Sequence, residues 1–257
     1  MRPMTPTASS SPKQTVHAPH PILDQYYEND ADKRRFIRTI FDSTAKDYDR
    51  VDRLLAFGTG SWYRRRALVR AGLAPGAKVL DVAVGTGLLA REMVNVLGTS
   101  NGIIGIDPSP GMMAATSAPL PIQLVQGRAE ALPFASGSFD FLSLGFALRH
   151  LDDLEAVFAE FRRVLRPGGR VLLLEITRAE GWLANTLLRG YMRGVVPLLS
   201  RTVARHRDTP LLYQYYWDTI EACAPPAQVL ATLAAAGFSG TDRHVELGIF
   251  SEFRGYA

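Results

Sequence analysis

The stretch "LDVAVGTGLLA", residues 80–90, constrains the fold more than any other part of the chain. It sets Gly85, Gly87 and Ala90 at the spacing of a nucleotide-binding turn between a strand and a helix. Glycines at such a turn let the backbone bend sharply and come close to a ligand. The stretch therefore predicts a buried strand before it, a helix after Gly87, and a βαβ unit around both. The spacing alone does not say what the turn holds.

The rest of the chain agrees with that unit. "AKVLDVAV", "GIIGID", "IQLVQG", "SFDFLSLGF" and "RVLLLEI" read as five short strands separated by helical stretches. Leu154, Val157, Phe158, Phe161, Val164 and Leu165 recur at helical spacing, and "RPGG", residues 166–169, stops that helix. "TDRHVELGIFSEFRGYA" reads as two further strands around Gly248. The expected fold is α/β and Rossmann-like. It is a doubly wound, mostly parallel seven-stranded sheet with helices on both faces and an antiparallel last strand. Residues 24–257 form a single domain in this reading. Within it, residues 24–73 are an N-terminal helical lid, with one helix around Phe36–Phe41 and a second over "RVDRLLAF". Residues 178–224 are a helical, aromatic insertion that ends in "LLYQYYW". Residues 1–23, rich in Pro, Ser and Thr, read as a disordered tail.

Composition narrows the function classes. At 257 residues and 47% hydrophobic the chain can bury one large core. No stretch has the apolar length of a membrane span. The single Cys223 cannot make an internal disulfide, so a cytoplasmic, reducing location is expected. No Cys/His cluster has metal-ligand spacing, and no metal is expected. The net charge of +4 comes without a nucleic-acid reader motif, so no nucleic-acid partner is expected.

Asp81 and Asp107 bear on what the turn holds. Asp81 lies four residues before Gly85. A carboxylate there repels a pyrophosphate but favours a cation. S-adenosylmethionine, with its ammonium and sulfonium and no phosphate, fits better than a dinucleotide. Asp107, twenty residues after Gly87 at the end of the second strand, can accept from both ribose hydroxyls. Arg128 to Glu130 end the third strand, where an adenine ring would lie. Only about eighty residues follow the fifth strand, too few for the second domain of a typical dehydrogenase.

With these residues in view, the chain resembles the class I S-adenosylmethionine-dependent methyltransferases. More narrowly it resembles the C-methyltransferases of ubiquinone and menaquinone biosynthesis. "FDSTAKDYDRVDRLLAFGTGSWYRR", "VLDVAVGTG", "RAEALPFASGSFDFLSLGFALRHLDD", "FRRVLRPGGRVLLLEI", "YQYYWDTI" and "ELGIFSEFRGY" carry the resemblance. It implies S-adenosyl-L-methionine as cofactor, contacted by Thr86, Asp107, Arg128, Ala129 and Gly145 and closed over by Tyr48. With Asp81, Gly85 and Gly87 these form the expected cofactor set. Arg149 matches the family's arginine at the substrate end of the pocket. Several positions depart from the family: His150 stands for Asn, Val84 for Cys or Gly, Asp52 for Asn, Cys223-Ala224 for Phe-Pro, Phe253 for His and Ala257 for Lys.

A ring carbon becomes a methyl acceptor when a neighbouring hydroxyl loses its proton, which calls for a general base. His150 is the best-placed titrating group, with Arg149 as a fixed charge for the phenolate; together they are the expected catalytic pair. The alternative for His150 is a helix-start residue bonded to Asp152 or Asp153. Phe146, Tyr213 and Tyr216 are the expected substrate wall, whereas Tyr215 and Trp217 read better as core. Arg189, Arg193, Arg201 and Arg205 read as a solvated face, with peripheral contact to anionic lipid as the alternative. The expected partner is a small aromatic, lipophilic acceptor, and a homodimer stays open. Three functions remain at this point: C-methylation of a phenolic or quinone ring, O- or N-methylation of a specialised metabolite, and a non-catalytic cofactor-binding subunit.

Overall fold

The five apolar runs form the parallel strands β1 (Val79–Val82), β2 (Ile103–Asp107), β3 (Gln123–Gln126), β4 (Phe139–Gly145) and β5 (Leu165–Ile176) in a computed structural model of the chain. The structure describes residues 18–55, 58–115, 120–179, 181–203 and 206–257. β6 (Ser239–Glu246) and β7 (Phe250–Tyr256) complete a seven-stranded sheet in the order β3-β2-β1-β4-β5-β7-β6. β7 runs antiparallel to both β5 and β6, and a short turn with Gly248 at φ +73° joins β6 to β7. The fold is the expected Rossmann-like one.

Helices cover both faces. α5 (Leu154–Val164) is capped by the Asp153 carboxylate, which accepts from the amides of Glu155 and Ala156. Its apolar stripe packs with Val229 and Leu233 of α9 (Pro226–Ala235) against β4 and β5. On the other face, Leu68 of α2 (Gly60–Arg70) and Leu89 and Met93 of α3 (Leu88–Leu97) meet Phe141 and Leu172. A third cluster joins α1 (Asp30–Leu55) to α8 (Thr209–Ala222) through Ile40, Val51, Leu212, Tyr213, Trp217 and Ile220. Tyr215 and Trp217 are core residues, as expected.

Some boundaries differ from the sequence reading. α1 is one 26-residue helix, since no Pro or Gly interrupts residues 30–55. "RPGG" ends α5 but lies within β5. Gly168, at φ +79°, donates to the Ala257 carbonyl at 2.7 Å, and Ala257 donates back to Gly169 at 2.8 Å. Within the segment expected as a tail, Pro19 and His20 are buried, and the Pro19 carbonyl accepts from the Ala224 amide at 2.7 Å. Residues 1–17 lie outside the described residues, as do Arg205 and the Arg201 side chain.

The strand order reverses between β1 and β4. A crevice at such a switch point, beyond the strands' C-terminal ends, is where open α/β sheets place ligands.

Candidate active site

Two adjoining hollows open at that switch point. The larger encloses about 980 Å³ and the smaller about 390 Å³, both partly open to solvent. Tyr48, Ala83, Gly145 and Phe146 line both.

The smaller hollow is built by the glycine turn. Gly85 has φ +56° and Gly87 φ +81°, a region costly for side chains with a Cβ. Gly87 itself does not line the hollow; its left-handed conformation starts α3. Asp81 is the final acidic group of β1 and is buried. Its Oδ1 accepts from the Ser143 hydroxyl at 2.5 Å, while its buried Oδ2 has no partner among the described residues. Burial pushes the carboxyl up to about 7, against the hydrogen bond from Ser143. Asp107 ends β2 and ties two loops together. Oδ2 accepts from Gly85 N and Oδ1 from Ser109 N, both at 2.8 Å. Burial also raises Asp107, to about 6, although both amides favour the charged form. Each carboxylate oxygen keeps a lone pair for a further donor.

The two hollows together fit S-adenosylmethionine: Asp81 and the glycine turn line the smaller, and Asp107 lines the larger. The unpartnered oxygen of Asp81 suits an ammonium, the free lone pairs of Asp107 suit two hydroxyls, and the glycine turn leaves room for a close backbone approach. Gly145 adds room at the shared wall, where a Cβ would come within 3.1 Å of Leu89 Cδ2. The next residue, Phe146, holds φ +59°, a strained conformation for a bulky side chain and one that gathers at functional sites.

The larger hollow is walled by Phe41, Tyr48, Phe146, His150 and Tyr216, with Asp107, Arg128, Ala129 and Gly145 toward the β2–β3 side. Arg128 donates to Asp152 and, at 3.3 Å, to Glu130. Tyr216 donates to the Tyr48 hydroxyl at 3.2 Å. His150 lies in a 3₁₀ turn (Leu148–His150) just after β4. Its ring stacks on Tyr215 at 5.5 Å and meets Phe41 edge-on at 5.3 Å. Nδ1 is 3.4 Å from the Tyr215 hydroxyl, whereas the buried Nε2 has no partner among the described residues. Burial, then the charge of Arg149, holds His150 well below the ordinary histidine range, so the ring is neutral at pH 7. Asp153 serves α5 instead, so the expected alternative of a bond to Asp152 or Asp153 has no counterpart here.

Arg149 and Tyr213 stand behind the wall rather than in it. Arg149 is 1% exposed and forms a buried ion pair with Glu175 of β5. It also donates to the Phe146 carbonyl at 3.1 Å and lies 4.6 Å from the centre of the Tyr216 ring. Tyr213 supports Tyr216 edge-on at 5.5 Å.

Several residues that position the site were not read from the sequence. Asp42 of α1 accepts from Ser109 Oγ at 2.5 Å and Gly111 N at 2.9 Å, at the start of α4 (Pro110–Ala114). Asp49 accepts from the Thr86 hydroxyl. Lys33 Nζ, buried, donates to the Leu151 carbonyl at 2.7 Å. Asp52, one of the departures, pairs with Arg64 at 2.9 Å beside the smaller hollow. The spacing of Asp42 and Asp49, seven apart and so on one helix face, was the available signal.

A profile of the ubiE/COQ5 methyltransferase family matches residues 28–256. The ubiquinone/menaquinone biosynthesis C-methyltransferase UbiE of Geotalea daltonii is 33% identical over 232 residues, covering 87% of this chain and 97% of that protein. A demethylmenaquinone methyltransferase of Mycolicibacterium vanbaalenii is 34% identical, covering 79% of this chain and 86% of its own. Among solved structures, an S-adenosylmethionine-dependent methyltransferase of Thermotoga maritima, described as a possible histamine N-methyltransferase, superposes with a TM-score of 0.59. It is 21% identical and covers 85% of this chain and 98% of its own, a likeness of fold.

Proposed function

The chain belongs to the ubiE/COQ5 methyltransferase family and is an S-adenosylmethionine-dependent methyltransferase; from that premise we propose that it C-methylates a phenolic or quinol ring. The observation that carries the proposal is His150. His150, a neutral imidazole whose buried Nε2 has no partner among the described residues, is one of the residues lining a hollow walled by aromatic rings. The quinone class of acceptor follows the names of the relatives, and the aromatic wall suits it.

In this reading Asp81 Oδ2 takes the cofactor's ammonium and Asp107 its ribose hydroxyls. Gly85, Thr86 and Gly87 shape the turn around it. Arg128, Ala129 and Gly145 border the adenine side, and Tyr48 closes over it. When bound, S-adenosylmethionine supplies an electrophilic methyl group on a sulfonium.

Phe146 and Tyr216, the latter backed by Tyr213, hold the acceptor ring against that methyl, and much of the catalysis is alignment. Nδ1 of His150 lies 3.4 Å from the Tyr215 hydroxyl, and in the tautomer that carries its hydrogen on Nδ1 the Nε2 lone pair is left for the ring hydroxyl's proton. The negative charge would spread to the ring carbon that faces the methyl group the cofactor would supply. The hydrogen on that carbon would leave as a proton to solvent to restore the aromatic ring, and the His150 imidazolium would return its proton to the phenolate oxygen, ending neutral as it began. Arg149, its charge met by Glu175, holds the Phe146 carbonyl and the Tyr216 ring in place and so acts as a positioning residue. The partly buried Cys223, its thiol pushed up to about 12 by burial, suits the reducing cytoplasm proposed for the chain.

Incubation with labelled cofactor and a panel of reduced quinones and phenols tests this. Label on a ring carbon supports the reading, and label only on oxygen or nitrogen rejects it. His150→Ala should lower turnover by about 10²–10⁴ while cofactor affinity stays nearly constant. An alanine variant with unchanged turnover would remove His150 from the mechanism.

A further inference from the structure

Burying an ionisable side chain costs free energy unless a partner of opposite charge is buried with it. The smaller hollow sets two groups against that rule. Among its described lining residues Asp81 is the one carboxylic acid and Arg64, from α2, the one base. Both are buried. They are not paired with each other: Asp81 accepts only from Ser143, and its Oδ2 has no partner among the described residues. Arg64 is 6% exposed, yet its ion-pair partner Asp52 is the more solvated of the two, with its side chain 26% exposed. That pair uses one guanidinium nitrogen, Nη2, and leaves most of the five N–H donors of Arg64 uncommitted.

A carboxylate oxygen without a donor and a guanidinium with donors to give, lining one space, are the recognition chemistry of a zwitterion. An α-amino acid supplies both halves: its ammonium suits Asp81 and its carboxylate suits Arg64. A simple anion is a poorer occupant, because Asp81 would repel it. The other walls agree. Val84, Leu88, Leu89 and Phe146 offer apolar contact to a short methylene chain. The Phe146 ring also steadies the arginine, whose guanidinium carbon lies 5.5 Å from the ring centre. Asp107, Arg128 and Ala129, suited to an adenosine, line the larger hollow instead.

We propose that Arg64 receives the α-carboxylate of the methyl donor and that Asp52 sets how tightly it does so. A guanidinium suits a carboxylate because its parallel N–H groups match the two oxygens. The Asp52 carboxylate offsets part of the charge that would draw the ligand. Asn at this position keeps an oxygen that accepts from Nη2 and removes the competing negative charge. The proposal rests on the reading that places the cofactor's ammonium at Asp81, and it is independent of the acceptor.

Titration calorimetry on the full-length chain tests this without any acceptor. The ligands are S-adenosylmethionine, S-adenosylhomocysteine and decarboxylated S-adenosylmethionine, which keeps the sulfonium and an ammonium but lacks the carboxylate. The wild type should bind S-adenosylmethionine at least about tenfold more tightly than the decarboxylated compound. Arg64→Gln should weaken both carboxylated ligands by about tenfold or more and leave the decarboxylated one within about twofold, so the preference collapses. Arg64→Lys should restore part of it. Asp52→Asn should widen it. Melting temperatures of the unliganded variants show whether each is folded. Equal affinity of the wild type for S-adenosylmethionine and its decarboxylated form would overturn the proposal, as would an Arg64→Gln variant that weakens both alike. A narrower preference in Asp52→Asn would remove the role given to Asp52. Asp81→Asn tests the underlying reading separately, because both compounds carry the ammonium and both should weaken. If neither weakens, the placement at Asp81 fails; if both weaken while Arg64→Gln keeps the preference, the placement stands and the role of Arg64 fails.

Discussion

Asp81 shows how one buried oxygen couples the site to pH. In water such a carboxyl titrates near 3.8, but in the fold it titrates at about 7. Between those values the folded chain keeps a proton that the unfolded chain has lost. Asp81 therefore costs stability as pH rises from about 4 to about 7. Asp81→Asn escapes that cost, so without cofactor its melting temperature should rise relative to wild type across this window. A cation prefers the ionised carboxylate, so cofactor affinity should fall by up to about tenfold per pH unit below about 7. Calorimetry in buffers of different ionisation enthalpy should show a proton released on binding, and Asp81→Asn should release none. For His150 the low folded pKa puts the acid limb of turnover well below pH 6.5; a limb at or above 6.5 would assign it to another group. Glu175→Ala should cost about 3–5 kcal/mol in denaturant unfolding, because it strands the buried Arg149 guanidinium. Asp81 and Asp107 were legible because their distances from the glycine turn are fixed along the chain. The Arg149–Glu175 pair was not, since it depends on how β5 registers against β4, 26 residues away.

At the scale of elements, α1 is the part of the site held by three separate loops. It is fastened to the loop after β1 through Asp49, to the loop after β2 through Asp42, and to the turn after β4 through Lys33. Asp42→Ala leaves the Ser109 hydroxyl and the Gly111 amide without their acceptor, a loss of about 1–3 kcal/mol. Hydrogen exchange in α1 should quicken more than exchange in β1 or β4, and equal changes across the molecule would argue against a locally held helix. The five parallel strands were readable because apolar runs bounded by glycine leave few alternatives. The seating of α1 was less so: its apolar stripe says that one face is buried, not which loops receive it. Likewise, residues 178–224 read as helical and aromatic, but helical periodicity does not reveal that α6 (Trp182–Gly190) buries none of its residues while Val196, at the start of α7 (Val196–Val203), is buried.

For the whole molecule, the reversal of strand order sets where the cleft lies, and the same fold connects its two hollows. Tyr48, Ala83, Gly145 and Phe146 belong to both, and the larger hollow is also lined by Asp107, Arg128 and Ala129, the residues proposed for the ribose and adenine, so cofactor and acceptor share this space. Occupancy of the site should raise stability by about 2.7 kcal/mol at a cofactor concentration one hundred times Kd. That shared space predicts a sequence in time. The sulfonium compound is expected to enter first and its demethylated product to leave last, with the acceptor coming and going in between. Initial-rate kinetics should therefore show a compulsory order: the demethylated product competes with the methyl donor alone and inhibits noncompetitively against the acceptor. Methyl-donor exchange should slow as acceptor accumulates, so at high acceptor concentration the enzyme would be throttled by its own crowded doorway.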